Sequence, residues 1–442
     1  MLDDEFHISR EYQASLVSIV CPKMPEHKTE AETARSLIEL RELLRTLGVK
    51  AGEQYFQSRK TIEAGTFLGT GKLEEIARKA KAEGSKLLVF DFELTSSQIR
   101  NIKKITDLSV VDRVHVILEI FAQHARTKEA KIQIEIARLK YVLPRLSGFW
   151  SHLGRQRGGV GVKGGEGEQQ IELDRRIIRE RIEHFKKELK TVEKSRVEQR
   201  KKRQDKAITA ALVGYTNAGK SSLMNRMCRV DILEEDKLFA TLDSTFRTLN
   251  PDTKPPMILI DTVGFISNLP NTLIDGFKTT LESALEADLL IVVCDVSDPH
   301  YKKHMEVTDQ VLGELGLNDK ERITVFNKKD KLDDPFKGKI IQRSVPNSYL
   351  VSSMIEEDVT HLRESIINYF LEQQSTYELF VKYDAGQAHS LIVSKTNVEA
   401  TTNLETGIFY RIRVPDFIFN GLGLGQFILS PTDPIFEELN NL

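Results

Sequence analysis

The segment Gly214-Tyr-Thr-Asn-Ala-Gly219-Lys220-Ser221 follows directly on the apolar run ITAALV at 208–213, and this junction constrains the fold more than any other stretch of the chain. A glycine loop can wrap an anion only if its backbone N–H groups converge, which needs a buried strand to deliver it and a helix N-terminus to receive it. The segment therefore predicts strand, phosphate loop and helix, within a parallel α/β sheet. In that arrangement the backbone of Gly214, Tyr215, Thr216, Asn217, Ala218 and Gly219 cradles a β-phosphate. Lys220 reaches the β/γ oxygens and the Ser221 hydroxyl holds Mg²⁺.

Three further segments follow in order. The run ILID ends in Asp261-Thr262-Val263-Gly264; Asp261 is placed to hold a Mg²⁺ water, and Gly264 to offer its N–H to a γ-phosphate. The strand ITVF runs into Asn327-Lys328-Lys329-Asp330. A carboxylate at Asp330 can accept from both N1–H and the 2-amino group of guanine, Asn327 can meet the O6/N7 edge, and the stem of Lys328 can cover the ring. Adenine lacks those paired donors. Ser352, Ser353 and Met354, after YLV, are candidates for backbone contacts to the base oxygen. Between the first two segments lies Leu238-Phe239-Ala240-Thr241-Leu242-Asp243. Within it Thr241, with Thr245 as rival, is the candidate second hydroxyl on Mg²⁺. Together these segments imply a protein that binds GTP and GDP and hydrolyses GTP. The residue after Gly264 is Phe265, which cannot orient an attacking water as an amide side chain can, so slow intrinsic turnover accelerated by a partner is expected. No residue is assigned as a certain catalytic group; Lys220 is expected to stabilise phosphate charge.

The remainder reads as α/β in four parts. Residues 1–127 alternate strands such as LVSIVC at 16–21 and LLVF at 87–90 with helices near 30–46, 71–83 and 96–106, giving a small α/β domain. Residues 128–206 read as a long helical hairpin around a glycine-rich loop, 207–373 as the nucleotide domain, and 374–442 as a small α+β domain with strand-like YELFV, SLIVS and FYRIRV. With 442 residues, 63 Lys and Arg against 65 Asp and Glu, and a net charge of -2, the chain has no global field to draw it to nucleic acid, and a DNA partner is not expected. No run of about 18 apolar residues suggests a membrane span, and the acidic start MLDDEF does not resemble a signal peptide. A cytoplasmic monomer is expected, with peripheral membrane association left open. The three cysteines, Cys21, Cys228 and Cys294, lack disulfide or metal spacing.

The motifs GTGK at 69–72, DRVHVILEIFAQHARTKEAKIQIEIARLKYVLPRL at 112–146 and GGVGVKGGEGEQQIELDRRII at 158–178, with GYTNAGKS, FATLD, DTVGFI and NKKD, resemble the HflX family of translation-associated GTPases over nearly the whole chain. The resemblance matches the family's metal-binding Thr to Thr241 and its base-binding SA pair to the divergent SSM at 352–354. It also implies binding to ribosomal RNA of the large subunit and splitting or rescue of stalled ribosomes under stress, with hydrolysis accelerated by the ribosome. Independently, the helix from Arg175 to Lys206 is rich in Lys and Arg, and the preceding loop joins Arg155, Arg157 and Lys163 to Phe149 and Trp150; cations on phosphates and aromatics on splayed bases would suit RNA. Gly69-Thr-Gly-Lys72 is too short for a second phosphate loop and reads as a turn into a helix. Two other readings stand beside the first: a nucleotide-gated scaffold for a protein partner, and an RNA-remodelling enzyme using ATP in the N-terminal domain.

Overall fold

Apolar residues at most positions of QASLVSIV suit a strand buried on both faces, as parallel sheets with flanking helices require. In the computed structural model this is β1 (Gln13–Val20). The structure describes residues 8–24, 27–146, 165–204, 207–229, 238–239, 244–250, 253–267 and 284–430. The chain divides into two units: Met1–Val192 with Glu235–Asp243 and Ile266–Thr280, and Glu193–Glu234 with Ser244–Phe265 and Leu281–Leu442.

In the first unit β1 is followed by α1 (Glu30–Leu47), β2 (Lys50–Ser58), α2 (Thr70–Ala82), β3 (Leu87–Phe90), α3 (Ser96–Thr106), β4 (Ser109–Asp112), α4 (Arg113–His124), α5 (Lys128–Val142) and the start of α6 (Gly165–Gln204). The four strands pair in the order β2-β1-β3-β4, all parallel. Local chemistry sets the helix ends. Thr29 and Glu32 close a reciprocal capping box on α1, and Gly48 ends that helix in the left-handed region at φ 76°, where a Cβ would be strained. Gly69 opens α2 with its N–H on Gln57 Oε1 at 3.0 Å, and Lys72 pairs with Glu75, so GTGK is a turn into a helix, as its length suggested.

Charges gather at the carboxyl ends of β3 and β4. The buried guanidinium of Arg113 donates to Asp91 Oδ1 at 2.9 Å and to Glu39. Asp112 caps α4 through the His115 N–H at 2.9 Å, and accepts from the Leu94 N–H at 3.0 Å and the Tyr141 hydroxyl at 2.9 Å. Burial pushes both carboxyls up, and Arg113 and Arg145 pull them back.

The second unit continues with β5 (Ile208–Gly214), α7 (Lys220–Met227), β6 (Thr245–Asn250), β7 (Met257–Asp261), β8 (Leu289–Asp295), α8 (Tyr301–Glu314), β9 (Arg322–Asn327), α9 (Pro335–Arg343), β10 (Ser348–Leu350) and α10 (Glu356–Glu372). Its sheet runs β10-β9-β8-β5-β7-β6, parallel except for β6 against β7. After it come β11 (Ser375–Lys382), α11 (Gly386–Lys395), β12 (Asn397–Asn403) and β13 (Gly407–Val414), the strands forming an antiparallel sheet ordered β11-β13-β12.

One expectation changes here. SLIVS at 390–394 lies in helix α11, because Ala388 and Ile392 are its buried positions, an interval of four that a helix aligns on one face. Part of the segment after 373 packs with the nucleotide domain, since Leu379, Val381, Ile392 and Ile412 belong to one apolar cluster with Leu212, Leu223, Ile366 and Phe370, while Leu404, Phe409 and Leu429 form a cluster within the segment itself. The two helices expected at 128–206 are present as α5 and α6; of the glycine-rich loop GGVGVKGGEG, Gly165, Glu166 and Gly167 open α6 and the rest lies outside the described residues. No helix among the described residues is long and apolar enough to cross a membrane.

Substituting Arg113→Met removes the cation between Asp91 and Glu39 and leaves the buried Asp91 carboxylate to lean on Ser36 and His27 alone of the groups that favour its charged form. Urea unfolding of the first unit's signal is expected to show a loss of about 3–5 kcal/mol.

Candidate nucleotide-binding site

The loop after β5 has its shape because two glycines stand where no side chain fits. A Cβ on Gly214, at φ 144°, would lie 2.2 Å from Val293 O on β8, and one on Gly219, at φ 90°, would lie 2.2 Å from Asn327 Nδ2. Lys220 opens α7 and folds inward: its Nζ donates to Gly214 O at 3.0 Å and Tyr215 O at 2.7 Å. Burial lowers this ammonium to about 8; Asp261 opposes that shift and Lys328 adds to it. A cation held in a dry loop at a helix N-terminus is a ready counter-charge for phosphate. The Thr216 hydroxyl, in the same loop, is buried with no hydrogen-bond partner, so a donor stands ready for an oxygen-rich ligand.

Parallel pairing of β5 with β7 puts Asp261 beside Leu212. Ser221 Oγ donates to Asp261 Oδ2 at 2.6 Å, which gathers a hydroxyl and a carboxylate, both hard oxygen donors suited to Mg²⁺. Among the described residues no group of three or more His, Cys, Asp or Glu is arranged for a metal, so an ion here would draw on hydroxyl and phosphate oxygens. Thr262 Oγ1 anchors the segment to Leu212 O at 2.7 Å. Gly264 passes so close to the loop that a Cβ would meet Thr216 Cα at 2.8 Å and Lys220 Nζ at 2.9 Å. Phe265 then zips onto the loop through its backbone: its N–H donates to Gly214 O at 3.0 Å and its carbonyl accepts the Thr216 N–H at 2.7 Å. Its ring is buried.

On the opposite side, β9 delivers Asn327, fully buried. Its Nδ2 donates to Ala218 O at 3.0 Å and its Oδ1 accepts the Ser353 N–H at 2.9 Å. Both ends of the carboxamide are thus engaged by protein, so Asn327 braces the loops, and the second N–H of Nδ2 is the donor that an edge contact to a base would use. Lys328 Nζ donates to Asn217 O at 2.7 Å and pairs with Asp295 at 2.8 Å. The Asp330 carboxylate accepts from Ser352 Oγ. Met354 is exposed, with its N–H on Ser352 Oγ at 3.1 Å.

Residues 214–221, 261–264, 327–330 and 352–354 therefore converge within one unit. Phe239 belongs to the other unit, where its ring meets Phe121 edge-on at 4.6 Å. Ala240, Thr241, Leu242 and Asp243 lie outside the described residues. Two neighbours were missed. Asp295 ends β8 in register with Asn327, and an apolar strand closing on Asp, as ILID does, was the available signal. His304 stacks on the Tyr215 ring at 4.0 Å and 11°, and nothing in its sequence surroundings marks it.

Residues 34–122 match the family described as GTP-binding GTPase N-terminal, 124–203 the GTP-binding GTPase Middle Region, and 209–328 the 50S ribosome-binding GTPase. The chain is 40% identical over 361 residues to GTPase HflX of Alkalihalophilus pseudofirmus, covering 81% of this chain and 84% of that one. It is 41% identical over 397 residues to GTPase HflX of Lacrimispora saccharolytica, covering 89% and 92%. Among solved structures, a GTP-binding protein from Sulfolobus solfataricus in complex with GDP is 24% identical over 80% of this chain and 99% of that one, with a TM-score of 0.44.

Substituting Gly219→Ala drives a methyl into Asn327 Nδ2. The chain should stay folded by circular dichroism but lose at least about tenfold in affinity for a fluorescent GDP, since roughly 1.4 kcal/mol of lost loop geometry suffices for that.

Proposed function

We propose, from the premise that the chain belongs to the HflX family of GTPases, that residues 214–221, 261–264, 327–330 and 352–354 hold its GTP, and that hydrolysis resets a protein which engages the large ribosomal subunit to split or rescue stalled ribosomes. The observation that carries the site is the carboxamide of Asn327, one group bonded to both Ala218 of the phosphate loop and Ser353 beside Asp330. Phosphate and base readers are thereby held in one frame.

The loop N–H groups and Lys220 bind the phosphates. Lys220 exchanges its bonds to Gly214 and Tyr215 for phosphate oxygens, a short movement that restores full charge compensation. Ser221, with Thr241 by its place in FATLD, would hold Mg²⁺, with Asp261 behind them; the ion when bound neutralises charge on the β/γ oxygens. Asp330 accepts from N1–H and the 2-amino group of guanine, and the stem of Lys328, fixed by Asn217 and Asp295, covers the ring.

Phe265 ties this chemistry to a partner. Its carbonyl occupies the Thr216 N–H, one of the loop donors, and its side chain offers no hydrogen bond to water. A triphosphate that recruits Gly264 must loosen this zipper, and an attacking water must be ordered by something other than residue 265. A ribosome pressing on the segment supplies both, which fits the match of 209–328 to a 50S ribosome-binding GTPase. The RNA contact falls on the loop at 148–168 more than on the middle of α6, where Arg175 and Arg179 pair with Glu172 and Lys186 with Glu183. Such a protein works in the cytoplasm.

Sedimentation of ribosomes with the full chain and GTP, GDP or a non-hydrolysable analogue tests this reading. Association and subunit splitting are expected with the triphosphates and not with GDP, and purified large subunits should raise GTP turnover at least about tenfold. Turnover indifferent to subunits would overturn the ribosomal part. In Gly264→Ala, the methyl against Thr216 and Lys220 should leave GDP binding within about threefold, less than 1 kcal/mol, while abolishing triphosphate-dependent association.

A further inference from the structure

We infer that Asp358, which lies outside all of the nucleotide-binding segments, is a positioning residue that sets how selectively this chain reads guanine; the inference rests on the reading of Asp330 as the base-recognising carboxylate. Asp358 stands in the first turn of α10, where a helix N-terminus favours a carboxylate. Its two oxygens reach two different loops. Oδ2 accepts the backbone N–H of Ser352 at 2.7 Å, and Oδ1 meets Lys329 Nζ at 2.6 Å.

Both partners adjoin Asp330. Lys329 precedes it in the chain, and the Ser352 hydroxyl donates to Asp330 Oδ1. Asp358 therefore grips the base-reading carboxylate from behind along two routes, one through a side-chain hydroxyl and one through the backbone. The pair with Lys329 is partly exposed, with side chains 32% and 15% accessible, so its worth as an ion pair is small. Its effect lies in geometry: guanine is distinguished from hypoxanthine only if one carboxylate accepts two parallel N–H groups, and a carboxylate free to swing loses that match. The Ser352 N–H contact is the stronger tie, being charge-assisted at a buried residue.

The test measures GDP and IDP affinities and the GDP release rate on the full chain. Asp358→Ala should narrow the GDP-over-IDP ratio by about tenfold and speed GDP release by a similar factor. Asp358→Asn, which keeps an acceptor for Ser352 and loses the charge facing Lys329, should fall between, and Asp358→Glu should recover part of the ratio. Lys329→Ala should reproduce part of the loss and add nothing to Asp358→Ala, since the two act through one contact. A lowered Tm with an unchanged GDP-over-IDP ratio would overturn the inference and leave Asp358 a structural residue. Should the alanine variant not fold, the asparagine and Lys329→Ala variants decide by the same ratio. Asp330→Asn serves as the control: a switch of preference to XDP supports Asp330 as the base reader, and its absence overturns that reading and with it the role of Asp358.

Discussion

The carboxamide of Asn327 is the contact on which the site's geometry depends. Three loops that are far apart in sequence, at 214–221, 327–330 and 352–354, have no covalent reason to stay in register. One buried side chain, donating to Ala218 O and accepting from Ser353 N, gives them a common reference. A buried amide is costly unless both ends are satisfied, and here both are, so the arrangement is defined as well as stable. The close approach of Gly219, where any Cβ would strike Asn327 Nδ2, is the same constraint seen from the loop.

Around that strut the charges are layered. Lys220 sits deepest, compensated by loop carbonyls in place of phosphate. Lys328 lies beyond it, held by Asn217 O and Asp295, and Lys329 beyond that, on Asp358. Each lysine of GKS and NKKD thus has a separate oxygen partner, which keeps like charges apart. The Phe265 backbone closes the loop from the DTVG side with two hydrogen bonds.

Much of this was readable before any coordinates. Helices at 30–46, 71–83 and 96–106 appear within a residue or two as α1, α2 and α3, because amphipathic spacing, joined in α1 and α3 by the caps of Thr29 and Thr95, is a local signal. Strand β2, KAGEQYFQS, was passed over, since it lacks an apolar run and exists by pairing with β1. The short β4 escaped for a similar reason, being made by its neighbour β3, whereas β10 was legible as the strand-like YLV. SLIVS misled because a β-branched apolar run says strand, while its burial at intervals of four says helix.

By itself the sequence nominated the candidate residues: a glycine loop with Lys220 and Ser221, Asp261 at the end of a buried strand, and Asp330 in NKKD are choices of residue type at fixed spacing, and short-range backbone physics acts on each directly. Only tertiary structure decided what holds them together. It tied Asn327 to two loops, joined Asp295 to Lys328, packed Leu379, Val381, Ile392 and Ile412 with the core of the nucleotide domain, and aimed Asp358 at Ser352 and Lys329. Those outcomes depend on which strands lie side by side and which atoms are dry, and contacts between residues tens of positions apart leave no periodic trace in one chain to be read.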